Sequence, residues 1–169
     1  MLEPLARRVD DSRRIALADA RVGNALTALP AGRWLIERYA LINGHRVPFL
    51  LLGEAGVFTM WPVESGPSWE DIEFTNEVAS VVKALLPGYP GPVRVGFCRA
   101  FERGTPRWWS QGGAGAWIMG LDSVGAWLRH FGSEHGLGVE DLARFNTLAG
   151  PDRDRRRSPA RFPAIPNRG

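Results

Sequence analysis

The stretch Phe49-Leu50-Leu51-Leu52-Gly53-Glu54-Ala55-Gly56-Val57-Phe58-Thr59-Met60 decides the fold. Two apolar runs flank Gly53-Glu54-Ala55-Gly56, a spacing that fits a tight reversal between two strands. Working outward, Trp34 to Ile42 is a further strand candidate, joined to Val47 to Gly53 through Asn43-Gly44, and the third strand runs from Gly56 to Pro62. Connections this short imply antiparallel hairpins.

On the N-terminal side, Ile15, Ala18, Val22, Ala25 or Leu26, and Leu29 recur at helical spacing after Asp10-Asp11-Ser12, a good N-cap cluster, and Pro30-Ala31-Gly32 ends the pattern. On the C-terminal side, Ser68 and Asp71 have the spacing of a capping box, followed by a helical face of Ile72, Thr75, Ala79, Val82 and Leu86 up to Pro87-Gly88. Val93 to Ala100 is an apolar run suited to a strand buried on both faces. Phe101 to Gly115 reads as a long polar loop, Ala116 to Met119 as a short fifth strand. Asp122 or Ser123 caps a third helix, and Val139 to Ala149 forms a fourth. The expected architecture is an α/β or α+β sandwich, with one mixed central sheet of about five strands flanked by helices.

Composition narrows the classes. With 44% hydrophobic and 23% charged residues in 169, the chain can bury a core, and wholesale disorder is excluded. The longest apolar run is too short for a membrane span, and Met1 to Arg8 lacks the apolar stretch of a secretory signal. A single cysteine, Cys98, excludes a disulfide framework and agrees with a reducing compartment, so the expected location is cytoplasmic.

Charge is uneven. The chain is +3 overall, but residues 151–169 hold six arginines and two aspartates, +4, which leaves residues 1–150 at −1. The expected organisation is one domain over 1–150 and a flexible Arg/Pro-rich tail over 151–169. Arg153, Arg155, Arg156 and Arg157 of that tail are candidates for holding phosphate or acidic groups, and a solvated terminus is the plain reading. A protein partner is preferred over nucleic acid, because the body is nearly neutral and phosphate binding needs clustered cations. No membrane partner is expected, and the oligomeric state is left open.

Two stretches carry a family resemblance: Asp19-Ala20-Arg21-Val22-Gly23-Asn24-Ala25-Leu26-Thr27-Ala28-Leu29-Pro30 in the opening helix, and the Phe49 to Met60 hairpin with its Gly56-Val57-Phe58. From about residue 15 to 132 the layout resembles the nuclease-related domain, NERD, of the restriction-endonuclease-like PD-(D/E)xK fold. The resemblance implies two carboxylates holding a magnesium-like ion at a phosphate, and a lysine two residues after the second. Carried over, the family's Asp-His pair falls on Pro48-Phe49 and its acid-x-lysine on Trp61-Pro62-Val63, while Asp19 stands for the helix-one glutamate. Ligands and ammonium are replaced by apolar groups. The resemblance therefore implies a catalytically inactive nuclease-fold interaction module with no cofactor and no metal site. Its candidate binding residues are Trp61, Arg107, Trp108, Trp109 and the tail arginines.

Two alternatives remain: a divergent magnesium-dependent nuclease acting on DNA through Asp19 with Glu64 or Lys83, and a structural subunit of a larger assembly. Trp61 has a plain reading as core, and Trp108 and Trp109 as one tryptophan packed on the sheet and one covering the loop. His130 and His135 are five apart, the wrong interval for a zinc pair on one helical face, and Cys98 reads as an inert core thiol.

Overall fold

The computed structural model describes residues 2–30, 32–138 and 140–143, with the backbone alone for residues 2–11. Helix α1 (Leu2–Leu26) leads into strands β1 (Trp34–Ile42), β2 (His45–Gly53) and β3 (Gly56–Val63), then helix α2 (Trp69–Ala84). Strands β4 (Val93–Arg99), β5 (Arg107–Gln111) and β6 (Ala114–Gly120) follow, then a 3₁₀ turn (Leu121–Ser123) and helix α3 (Val124–His130). The sheet is mixed, as expected, with the order β1-β2-β3-β4-β6-β5. β1, β2 and β3 pair antiparallel, β4 lies parallel to both β3 and β6, and β5 returns antiparallel on β6.

Alternation along the strands distributes the apolar side chains to two layers. On one face Phe49, Leu51, Phe58, Met60, Cys98 and Met119 pack against Ala18, Val22 and Leu26 of α1 and Val124, Trp127 and Leu128 of α3. The Phe58 ring lies 5.1 Å from that of Trp127 and 5.7 Å from those of Trp34 and Phe131. Gly96 is required here, since a Cβ would stand 2.6 Å from the Trp127 ring. On the other face Leu50, Leu52, Val57, Val95, Phe97 and Ala116 meet Ile72, Val78, Ala79 and Val82 of α2. The Ser68 capping box forms as expected: the Ser68 hydroxyl accepts from the Asp71 amide at 3.1 Å and the Asp71 carboxylate accepts from the Ser68 amide at 2.9 Å. Such a cap contributes about 1 kcal/mol.

Four expectations need correction. α1 begins at Leu2, so Asp10-Asp11-Ser12 continues the helix; Pro4 is tolerated because a first turn has no intrahelical acceptor for its missing N–H. Within it Ile15 is 43% exposed, opening onto a cleft rather than the core. The expected loop from Phe101 to Gly115 contains β5, and Gly112 and Gly113, with φ of 58° and 86°, make the hairpin turn to β6. Neither Asp122 nor Ser123 caps α3 with its side chain: Asp122 accepts from the Gly104 amide at 3.1 Å and the Ser123 hydroxyl donates to the Gly104 carbonyl at 2.7 Å. Of the expected fourth helix, residues 140–143 are helical and 144–149 lie outside the described residues, as does the tail with Arg153, Arg155, Arg156 and Arg157. No helix among the described residues is long and apolar enough to cross a membrane.

Candidate functional site

Two clefts flank the start of α2. The first begins with an irregularity in β1 and β2. Phe49 packs in the layer of α1 and α3, yet Val47, two residues away and nominally on the same side, packs in the layer of α2. The strand changes face at Pro48, which has no N–H to give to the ladder. On β1 the matching position is Tyr39, held at φ 55° between the pairs Arg38↔Phe49 and Ala40↔Val47. A tyrosine at positive φ is strained. Here the turned-out backbone lets its hydroxyl donate to the Asp19 carboxylate of α1 at 3.1 Å.

Beside this twist opens a cleft of about 550 Å³. Asp19, Tyr39, Pro48, Trp61, Val63 and Glu64 all line it, so four of the five positions singled out by the sequence resemblance come together, while Phe49 is buried in the layer of α1. Trp61 is half-buried, its indole N–H donating to the Thr59 hydroxyl at 3.0 Å and its ring edge-on to Phe74 at 6.0 Å. Phe74 in turn meets the His45 ring at 5.1 Å. The wall is thus aromatic, with Asp19 at one side, 6% exposed, and Glu64 at the other, paired with Arg14 at 2.5 Å.

A magnesium ion does not fit these residues. Such an ion takes oxygen ligands in near-octahedral array. Pro48, Trp61 and Val63 offer no side-chain oxygen, Asp19 is engaged by Tyr39, and Glu64 by Arg14. Among the described residues no three His, Cys, Asp or Glu side chains gather as a metal site. Lys83 sits elsewhere: its ammonium donates to the Gly91 carbonyl and lies 5.5 Å from the Tyr89 ring centre, near the far end of α2. It therefore takes no part in this cleft, contrary to the possibility raised from sequence.

The second cleft, about 580 Å³, is lined by Arg99, Arg103, Thr105, Arg107, Trp108, Trp109 and Ile118. Its exposed tryptophans straddle the edge strand. Trp109 pairs across from Ala116 and contacts Trp69 of α2, ring centroids 6.3 Å apart, whereas Trp108 packs on Trp117 at 5.5 Å on the opposite face. Sequence reasoning named Arg107, Trp108 and Trp109 and missed Arg99 and Arg103. The available signal was position: Arg99 ends a buried strand parallel to both neighbours, and in open α/β sheets ligands bind beyond such strand ends. The first cleft lies at the same end of β3. Phe74 against Trp61, and Trp69 against Trp109, make the first turns of α2 the partition between the two clefts.

Cys98 is fully buried in the α1 layer, and burial pushes its thiol up to about 12, which removes it as a nucleophile at neutral pH. His130 ends α3, where its ring lies 5.1 Å from that of Phe131 and 6.2 Å from that of Trp117.

No protein-family model, no curated protein and no solved structure matches this chain.

Proposed function

We propose that the chain is a catalytically inactive nuclease-fold module, similar to NERD domains, that binds a protein partner in the cytoplasm through the Trp61 cleft. One observation carries this reading: Asp19, Pro48, Trp61 and Val63, matched to the family's catalytic positions from sequence alone, line a single cleft at the end of β3. Apolar and aromatic groups stand where the family's reaction needs an acid and a lysine. A half-exposed indole backed by a second aromatic is the kind of anchor around which protein interfaces concentrate their binding energy.

A photo-crosslinking amino acid at position 61 tests the reading. It should capture one discrete partner from the native host, with the capture lost when Phe74→Ala is added and absent when the crosslinker replaces Leu85. Equal capture from both positions would overturn it. A nucleic-acid partner held by the arginine-rich tail is the competing occupant. Salt-sensitive gel shifts that vanish on deletion of residues 151–169 would favour that occupant instead.

The second reading, a divergent nuclease, draws on Asp19 and Glu64 sharing the cleft. Plasmid cleavage with magnesium or manganese that Asp19→Asn abolishes would establish it against the first.

A further inference from the structure

We infer that the second cleft is a binding site for a free nucleoside polyphosphate, with the phosphates on Arg99, Arg103 and Arg107 and the base against Trp109. This inference is independent of the Trp61 cleft and stands or falls without it.

Strand geometry brings the groups together. Val95 and Phe97 face α2, so Arg99, the next residue of that parity on β4, points to the same side of the sheet. Arg107 and Trp109 pair with Ile118 and Ala116 of β6, which also pack in that layer. Arg99, Arg107 and Trp109 therefore share one face across three adjacent strands, with Arg103 supplied by the loop above.

That loop is a fixed platform. Gly120 donates to the Gly104 carbonyl at 2.9 Å, Leu121 donates to the Glu102 carbonyl at 2.9 Å, and the contacts of Asp122 and Ser123 with Gly104 complete the clamp. A Cβ on Gly104 would lie 2.6 Å from Nη2 of Arg99, so glycine is what allows that guanidinium to lie against the loop. The acids of the loop are engaged: Glu102 pairs with Arg99 at 3.1 Å and Asp122 holds the Gly104 amide. Nε of Arg99 is buried without an acceptor among the described residues. The Arg99–Glu102 pair carries no net charge, so the cationic character of the site comes from Arg103 and Arg107, whose planar guanidinium forks match phosphate oxygens two at a time.

Aromatic side chains beside such cations select a ligand that also carries a flat ring. Trp109 is 44% exposed. Base stacking on an indole adds binding energy for any nucleobase. Two observations favour a single nucleotide over a strand. The cleft has the volume of a small-molecule site. Beyond Trp109 stands Trp69, whose indole N–H donates to the Glu73 carboxylate at 2.7 Å, a negative group that repels a continuing phosphate backbone.

Isothermal titration calorimetry of the full chain with ATP, adenosine, tripolyphosphate and a short single-stranded oligonucleotide tests the inference. ATP should bind saturably, with affinity falling on going from low to physiological salt. Adenosine and tripolyphosphate should each bind at least about tenfold more weakly, since each keeps half of the contacts. The exposed pair Arg103→Ala with Arg107→Ala should weaken ATP at least about tenfold while the circular dichroism spectrum and melting temperature stay unchanged. Trp109→Leu should bring ATP down to the tripolyphosphate level. Absence of ATP binding at millimolar concentration, equal affinity for ATP and tripolyphosphate, an unaffected arginine double variant, or an oligonucleotide that outbinds ATP would each overturn it.

Discussion

The two clefts share a sheet end and a partition, the first turns of α2, but differ in how their chemistry is built. The Trp61 cleft is walled by side chains from regular elements, α1, β1, β2, β3 and α2, and owes its opening to a twist at Tyr39 and Pro48. The Arg99 cleft rests on a loop and an edge strand whose five residues are all exposed, and owes its shape to backbone hydrogen bonds between that loop and the end of β6. The first has an aromatic wall of Trp61 and Phe74 with its carboxylates already paired, which suits a side chain from a folded partner. The second concentrates one sign of charge, which suits an anion. One scaffold thus presents contrasting surfaces within a helix width, because β3 on one side of α2 and β4 and β5 on the other end in different residues on the same face of the sheet.

The strongest way to break the contrast is to remove what both clefts rest on. Phe58→Ala deletes a fully buried ring that touches Trp34, Trp127 and Phe131, and urea denaturation should show a loss of about 3–5 kcal/mol with both clefts failing in one transition. Separate transitions would mean that the two ends of the sheet are independent units.

A smaller change should separate the clefts. A Cβ at Gly120 would lie 2.3 Å from the Gly104 amide nitrogen and 2.4 Å from the Arg103 carbonyl carbon. Backbone cannot yield as a side-chain tip does. Gly120→Ala should cost about 1–3 kcal/mol and raise amide exchange across residues 100–106, leaving exchange around β1 and β2 unchanged.

A third effect is read with pH and belongs to the layer under both clefts. Cys98 is held neutral by burial, its pKa raised from 9.0 to about 12. An acid whose folded pKa is raised contributes stability that is complete below the unfolded value and is lost as pH climbs from there toward the folded one. Unfolding free energy should therefore fall by about 1.4 kcal/mol per pH unit above pH 9, and Cys98→Ala should remove that part of the slope. An unaltered slope would assign the alkaline loss to other groups.

Legibility in the sequence followed burial and local chemistry. The three-strand meander was readable because apolar runs are punctuated by residues that the turns demand, Asn43 at φ 49° and Gly44 at φ 83° among them. The α2 start was readable because a capping box is a local device. β5 was hidden: with every residue exposed, it carries no alternation between inside and outside, and only Gly112-Gly113 marked the hairpin. The Trp61 cleft was legible as Asp19, Pro48, Trp61 and Val63 meeting, but the burial of Phe49 away from it and the face change at Pro48 were not, since Val47 and Phe49 are both apolar and a sequence does not show which layer receives each. Arg99 and Arg103 were missed because what gathers them is the close approach of Gly104 and Gly120, sixteen residues apart in the chain.

Placing β4 between two parallel neighbours also sets the order in which the chain can assemble. β1, β2 and β3 zip from neighbouring hairpins, within microseconds. β4 pairs with β3 across the whole of α2, and β6 with β4 across β5, so these contacts are distant along the chain and cost more loop-closure entropy than the hairpins. Refolding should accordingly run on the millisecond-to-second scale of non-local topologies, with the meander as the earliest protected region.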